Sequence, residues 1–111
     1  MFNSVTVVGN LTRGIELKYA PNGTAIGKSA IATSYKYKSA TGEQKEEVCF
    51  LDFTLKGRTA ETGNQYLRKG SKVLLSGRLT FEQWTAQDGS PRSKHSLTVT
   101  EMKMLDSKDN G

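Results

Sequence analysis

The sequence contains one cysteine, one histidine and no long run of apolar residues. A single cysteine can form neither an intrachain disulfide nor a thiolate metal cluster, which favours a cytosolic protein. Cys49 falls on the apolar phase of an alternating strand pattern, and this predicts a buried side chain rather than a reactive nucleophile. No segment approaches the ~18 apolar residues of a membrane span, and the first residues lack the basic and apolar regions of a signal peptide. We therefore expect no signal peptide and no association with a membrane.

The sequence also lacks the groups of residues on which catalysis usually depends. His95 is the only histidine and has no cysteine near it in the chain. Glu46 and Glu47 are adjacent, so a strand would direct them to opposite faces. No glycine-rich loop ends in the Lys-Ser or Lys-Thr step of a phosphate-binding loop. We therefore expect no enzymatic activity, no catalytic residues, no metal and no cofactor.

The chain does carry an excess of positive charge. Its 16 lysines and arginines against 11 aspartates and glutamates give a formal net charge of +5. This balance favours a polyanionic partner, although many proteins that bind no nucleic acid have a similar one. Between Arg13 and Lys38, five cations are opposed by Glu16 alone, which makes that segment locally electropositive.

Alternating apolar residues and turn residues predict a chain made mainly of strands. The predicted strands are Phe2–Leu11, continued with period two to Tyr19; Thr24–Tyr37; Val48–Lys56; Lys72–Trp84; and Lys94–Leu105. Consecutive valines in the first strand indicate burial on both of its faces. A helix is predicted over residues 58–69, ended by Gly70. Pro21-Asn22-Gly23 and Asp88-Gly89 predict tight turns.

Three strands, one helix and two strands are the element order of an OB-fold. We therefore predict an all-β protein in which residues 1–105 form one domain. Its architecture is a five-stranded, partly open Greek-key barrel with one helix between strands 3 and 4.

Two aromatic residues fall on the polar phase of their strands. Trp84 alternates with polar residues, whereas Leu79 and Phe81 continue the apolar phase toward the core. Phe50 in the third strand shares its phase with Lys56. Exposed rings beside cations are typical of surfaces on which unpaired bases stack, without selection of sequence. In the alternative interpretation, Trp84 folds back over its own hairpin, and Phe50 packs against a second copy of the chain or under the long loop.

Tyr37 and Tyr35 alternate with Lys36 and Lys38 at the end of the second strand. This pattern presents rings to one face of the strand and cations to the other. Both faces would contribute to binding if the hairpin projects into solvent. A plain solvated strand end is the alternative.

Eleven cations are candidates for contacts with phosphates. They are Arg13, Lys18, Lys36, Lys38, Lys56, Arg58, Arg68, Lys69, Lys72, Arg78 and Arg92. Lys45 and Lys94 could contribute in the same way. Arg78 and Lys56 are the strongest candidates for phosphate contacts, because Arg78 shares the strand phase of Trp84 and Lys56 shares that of Phe50.

Seven short motifs occur in register along almost the whole chain. They are Val7-Val8-Gly9-Asn10-Leu11, Pro21-Asn22-Gly23, Ala32-Thr33-Ser34, Ala40-Thr41-Gly42-Glu43, Tyr66-Leu67-Arg68-Lys69-Gly70-Ser71, Gly77-Arg78-Leu79 and Trp84-Thr85-Ala86-Gln87-Asp88-Gly89. In this order they closely resemble the DNA-binding domain of the bacterial single-stranded DNA-binding protein family. The resemblance implies a cytoplasmic homotetramer of OB-folds at the bacterial nucleoid. Single-stranded DNA would wrap around it during replication, recombination and repair.

The resemblance also implies roles for individual residues. The stacking aromatics of the family correspond to Tyr37, Phe50 and Trp84. Lys56 stands where the family has a further aromatic, so this chain departs from the pattern there. Arg58, Arg68, Lys69 and Arg92 match basic positions of the family. Glu82 and Gln83 occupy positions that are often basic in the family, which implies a weaker electrostatic attraction for DNA.

Family members continue through a flexible linker to an acidic tip that docks replication and repair proteins. Residues 106–111 resemble the beginning of such a linker, and the tip is missing from this sequence. We therefore expect a shortened chain that does not recruit those partners. The alternative function is an OB-type module that binds protein or structured RNA, with its rings buried in subunit contacts.

Overall fold

The computed structural model describes residues 1–106 and contains six β-strands and one α-helix in that range. In chain order they are β1 (Val5–Leu11), β2 (Glu16–Tyr19), β3 (Ala25–Lys38), β4 (Gln44–Lys56), α1 (Arg58–Tyr66), β5 (Lys72–Thr85) and β6 (Pro91–Met104). No helix within residues 1–106 has the length and apolar character needed to cross a membrane.

Five of the strands close into a barrel because β1 pairs along both of its edges. The sheet order is β1-β5-β6-β4-β3-β2, and β1 pairs in addition with β3. The β1–β3 seam consists of Asn10 opposite Ala32 and Leu11 opposite Ile31. The parallel β4–β6 seam is equally short, with Phe53 and Thr54 opposite residues 97 and 98. The helix lies between β4 and β5, so the predicted OB-fold is confirmed, and its two short seams are the points at which the barrel is least tightly joined.

The first predicted strand differs from the structure in two respects. Its extension to Tyr19 is a separate strand, β2, which pairs with β3 outside the closed barrel. The prediction that both faces of the first strand are buried is wrong. Val5 and Val7 pack against the core, whereas Val8 is 40% exposed. A barrel strand has one inward face only, so its alternate residues meet solvent.

The core is formed by the inward residues of the barrel strands and by α1. Its buried members are Leu11, Ala25, Ile31, Phe53, Leu55, Ala60, Leu67, Val73, Leu75 and Leu97. The helix packs against β2, β3 and β4. Gly63 is buried in the helix, where a Cβ atom would lie 2.8 Å from Cδ1 of Leu55. Close packing therefore accounts for a residue that forms helices poorly.

The helix ends at Tyr66, three residues before the predicted end at Lys69. Leu67 is extended, with φ −98° and ψ 145°, and its side chain is buried. The chain therefore becomes extended where the sequence pattern predicts a last helical turn, and the extended Leu67 places its apolar side chain in the core. Gly70 lies in the following turn with φ 92° instead of directly capping the helix.

The β5–β6 ladder contains a bulge. Ser76 lies opposite Glu101 and Gly77 opposite Val99, so Thr100 has no partner in the ladder. Its Oγ1 donates to the carbonyl oxygen of Ser76 at 3.1 Å. The bulge takes up one residue, so regular alternation resumes after it, and Val99 and Met102 both pack against the core although they are three positions apart.

The β3–β4 and β5–β6 hairpins continue beyond the core. Residues 40–50 are all exposed, and Cys49 is among them, so its predicted burial is wrong. Leu79 and Phe81, on the predicted core phase of β5, are 38% and 52% exposed. Strand alternation persists in these arms, but no opposing layer covers their inward phase.

We predict that Gly77→Ala destabilises the fold, because a Cβ atom at this position would overlap the carbonyl group of Thr98. The expected loss in the free energy of unfolding is about 1 to 3 kcal/mol, measured by urea denaturation. Gly14→Ala is the matched control, since a Cβ atom there meets nothing within 4 Å. It should change stability by no more than about 0.5 kcal/mol. Equal effects of the two substitutions would contradict the steric explanation.

Candidate nucleic-acid interface

Three neighbouring strands present one continuous polar face, which we call the outer face. On β6 it contains Thr98, which lies opposite Thr54 of β4 and Arg78 of β5. Because paired residues project from the same side of a sheet, the phases of the three strands coincide. The outer face comprises Phe50, Asp52, Thr54 and Lys56 of β4; Arg78, Thr80, Glu82 and Trp84 of β5; and Arg92, Lys94, Ser96 and Thr98 of β6.

The outer face carries both aromatic residues that lie on the polar phase. Phe50 is 70% exposed and Trp84 is 47% exposed. Neither ring is enclosed by the core or by a loop of the same chain. The two rings therefore offer flat apolar surface on a face that is otherwise polar.

Trp84 is partly covered by a cation. The Nζ atom of Lys94 lies 5.7 Å from the centroid of the indole ring, within the range of a cation–π contact. The same Nζ atom donates to Oδ2 of Asp52 at 2.7 Å. These contacts connect β6 to Asp52 on β4 and to Trp84 on β5.

The hairpin turn after Trp84 is held by the Asp88 carboxylate. It accepts hydrogen bonds from the Ser90 hydroxyl at 2.6 Å and from the Ser90 N–H at 3.0 Å. These bonds, the hydroxyl one first, lower the pKa of Asp88 below its ordinary value because they stabilise the ionised form. Gly89 completes the predicted turn with φ 85°. The turn fixes the end of the strand that carries the indole.

Tyr37 lies on the other side of the sheet from Phe50. Tyr37 pairs with Lys45, and Phe50 pairs with Ala32, five residues earlier on β3. An odd separation along a strand reverses the direction of the side chain. Tyr37 is 39% exposed and stacks on Tyr35, with ring centroids 6.1 Å apart. The structure therefore brings Phe50 and Trp84 onto one face but not Tyr37, whose hairpin projects into solvent.

Six of the candidate cations extend the outer face. Lys56, Arg78 and Arg92 belong to it directly, and register places Lys18, Lys36 and Lys38 on the same side of β2 and β3. All six are exposed. Two of them have acidic neighbours: Lys18 is 3.4 Å from Glu16, and Arg92 is 4.0 Å from Asp88.

The other candidate cations lie away from the rings. Arg68, Lys69 and Lys72 are exposed around the α1–β5 connection, and Arg13 is exposed in the connection after β1. The Gly70 N–H donates to the carbonyl of Leu11, and the Leu11 N–H donates to that of Ser71, so these segments are adjacent. Arg58 begins α1 and is also exposed.

Lys28 is a further cation near the outer face, and the sequence pattern does not single it out. Lys28 is exposed and pairs with Thr54 of β4, so it shares the side of the sheet that carries Phe50. Its even spacing from Lys36 and Lys38 was the available signal. The contacts of Lys94 had no signal in the sequence, because Asp52 is 42 residues away.

The carboxylate of Glu82, on the outer face, is already engaged in a hydrogen bond. It accepts this bond from the hydroxyl of Ser96, which is 3% exposed. A carboxylate that satisfies a buried hydroxyl is held against the sheet.

Asp106, the last described residue, accepts hydrogen bonds from the Lys72 N–H through both of its oxygens. The rest of the predicted linker, residues 107–111, lies outside the described residues.

A barrel of this topology with an exposed aromatic and cationic face defines an OB-fold of the nucleic-acid-binding type. Residues 2–105 match the sequence model of the single-strand binding protein family, and the chain belongs to that family.

Curated bacterial relatives are similar to this chain over almost its whole length. A single-stranded DNA-binding protein of Wolinella succinogenes is 56% identical over 108 residues, covering 97% of this chain and 67% of the relative. The protein of the same name from Helicobacter hepaticus is 51% identical, covering 100% of this chain and 65% of the relative. The Helicobacter pylori protein is also 51% identical, covering 97% of this chain and 60% of the relative. The chain thus spans about two thirds of the length of these relatives.

Solved structures share the fold. The SSB of Plasmodium falciparum in complex with ssDNA superposes with a TM-score of 0.85 at 20% identity, covering 96% of both chains. A deletion mutant of the single-stranded DNA binding protein from Thermus aquaticus gives a TM-score of 0.83 at 28% identity, covering 96% of this chain and 52% of that one.

Proposed function

We propose that this chain binds single-stranded DNA without selecting its sequence. The observation that carries the proposal is the exposure of both Phe50 and Trp84 on one polar face. Each ring can stack on an unpaired base, and every base offers such a surface, so stacking tolerates any sequence. Membership of the single-strand binding protein family supports the same function.

The cations supply the second component of binding. Lys56 and Arg78 share the outer face with the rings, and contact with phosphates would release counterions from the DNA. Tyr37 projects from the opposite side of the β3–β4 hairpin. A strand that passes around this hairpin can meet Phe50 on one side and Tyr37 on the other. The cations around the α1–β5 connection would extend the path of the DNA backbone across the protein.

The family and the bacterial relatives support the following biological role. The chain protects single-stranded DNA during replication, recombination and repair in the bacterial cytoplasm. It does so without catalysis and without a cofactor, because binding requires only stacking and neutralisation of charge. Residues 1–105 are proposed to be the binding domain, and the sequence of residues 106–111 resembles the beginning of the linker of the family. Replication and repair proteins dock on the acidic tip that follows such a linker in the family.

Fluorescence of Trp84 tests the function directly, because this chain has a single tryptophan. We expect oligo-dT to quench the emission strongly as bases stack on the indole. Phe50→Ala should weaken binding by about 1 to 3 kcal/mol. Tyr66→Ala, which removes another exposed ring, from α1, should leave affinity unchanged. Emission that does not change with saturating oligonucleotide would favour the alternative function, a protein- or RNA-binding module.

Salt dependence separates the two components of binding. Lys56→Ala and Arg78→Ala should each flatten the slope of log K against log salt by about 0.7, the value for one phosphate on a single strand. Trp84→Ala should weaken affinity, with binding followed by anisotropy of a labelled oligonucleotide, and leave the slope almost unchanged. Lys103→Ala is the control substitution. Lys103 lies opposite Leu74, on the far side of the β6 bulge from the residues of the outer face. Identical slopes for all variants would refute this division of roles.

We also propose that the chain assembles into a homotetramer, as the family resemblance implies. Analytical ultracentrifugation with and without poly-dT measures the subunit number and the stoichiometry together. The expected species has four subunits in both conditions. A monomer at concentrations that saturate the DNA would contradict the proposal.

A further inference from the structure

The outer face contains an acidic group, Asp52, near the residues that carry its rings. Asp52 follows Phe50 by two residues on β4, so their side chains share a side of the sheet. Its carboxylate binds Lys94, whose ammonium lies over the ring of Trp84. A negative charge at this place opposes the polyanion that the face is proposed to bind.

The Asp52–Lys94 pair is the tightest ion pair among residues 1–106. Its atoms are 2.7 Å apart, and the two side chains are 38% and 41% exposed. The other three pairs span 3.4 to 4.0 Å, and their side chains are at least 50% exposed. Short, partly desolvated pairs with a charged hydrogen bond are stronger than pairs in open solvent.

The neighbouring carboxylate does not compete for this ammonium. Glu82 lies directly opposite Lys94 in the β5–β6 ladder, but it accepts the hydroxyl of Ser96. Lys94 instead reaches across to β4, where the backbone pairing with β6 is limited to Phe53 and Thr54. The pair therefore continues the contact between the two strands beyond their short seam.

We infer that Asp52 acts as an intramolecular competitor of DNA phosphate for Lys94 and thereby limits the affinity of the outer face. This inference rests on the proposed function. Lys94 already has a counter-charge, so a phosphate gains its ammonium only by displacing the carboxylate. Lys94 therefore contributes little to counterion release, unlike Lys56 and Arg78. Asp52 is a positioning residue, because it acts through the lysine that it holds over the indole.

The test is Asp52→Asn, which removes the charge and keeps the shape of the side chain. Lys94 becomes free to bind phosphate, so Kd for oligo-dT at low salt should fall by about threefold to tenfold. The slope of log K against log salt should steepen by about 0.7, equivalent to one additional phosphate. Circular dichroism and urea denaturation verify that the variant remains folded.

Glu16→Gln is the matched control. It removes one negative charge from an exposed pair with Lys18, on the same side of the sheet. A general gain from the altered net charge would appear equally in both variants. We expect the change in Kd and in slope for Glu16→Gln to be smaller than for Asp52→Asn.

The background Lys94→Met decides whether Asp52 acts through Lys94. In this background Asp52→Asn should no longer steepen the salt slope. Steepening that persists there, or equal effects of Asp52→Asn and Glu16→Gln, would overturn the inference while the proposed function stands. Failure of the unsubstituted chain to bind oligo-dT would instead overturn the proposed function, and this inference with it.

Discussion

The structure depends on the ability of one strand to pair along both edges. β1 pairs with β5 over most of its length and with β3 through Asn10 and Leu11 alone. At the transition, a side chain at Gly9 would overlap the carbonyl of Ala32, so only glycine permits the close approach. This crossing closes the barrel, and closure gives every barrel strand one inward and one outward face. The separation of core from binding surface follows from that geometry.

The same alternation serves two purposes along a single strand. In β5, Val73 and Leu75 fill the core, and Leu74 between them is half-buried on the outward side. Further along, the strand leaves the barrel and both of its faces are accessible. Aromatic residues on such arms need no pocket, because the sheet holds the ring and solvent surrounds it. A protein built in this way can present stacking surfaces with little loss of core.

Much of the fold could be predicted from the sequence, because strand periodicity and turn residues are local signals. The sequence predicts the turns at Asn22-Gly23 and Asp88-Gly89 and the helix after Lys56. It also predicts that Phe50 and Trp84 project outward. Periodicity does not reveal where an opposing layer ends, so it wrongly predicts burial of Cys49, Leu79 and Phe81. Contacts between distant residues, such as Asp52 and Lys94, require the three-dimensional fold. The alternation predicts that Tyr37 shares a face with Tyr35, but the position of Tyr37 relative to Phe50 depends on the register of the hairpin.

The bulge at Thr100 shows how curvature and side-chain direction are controlled separately in β6. Without the extra residue, Val99 and Met102 would still project inward, because regular alternation would then connect them. What would disappear is the local bend and additional twist. The bulge lies two residues after Thr98, which pairs with both β5 and β4. One residue that contributes nothing to the core or to the outer face thus bends the last strand beside its seam with β4.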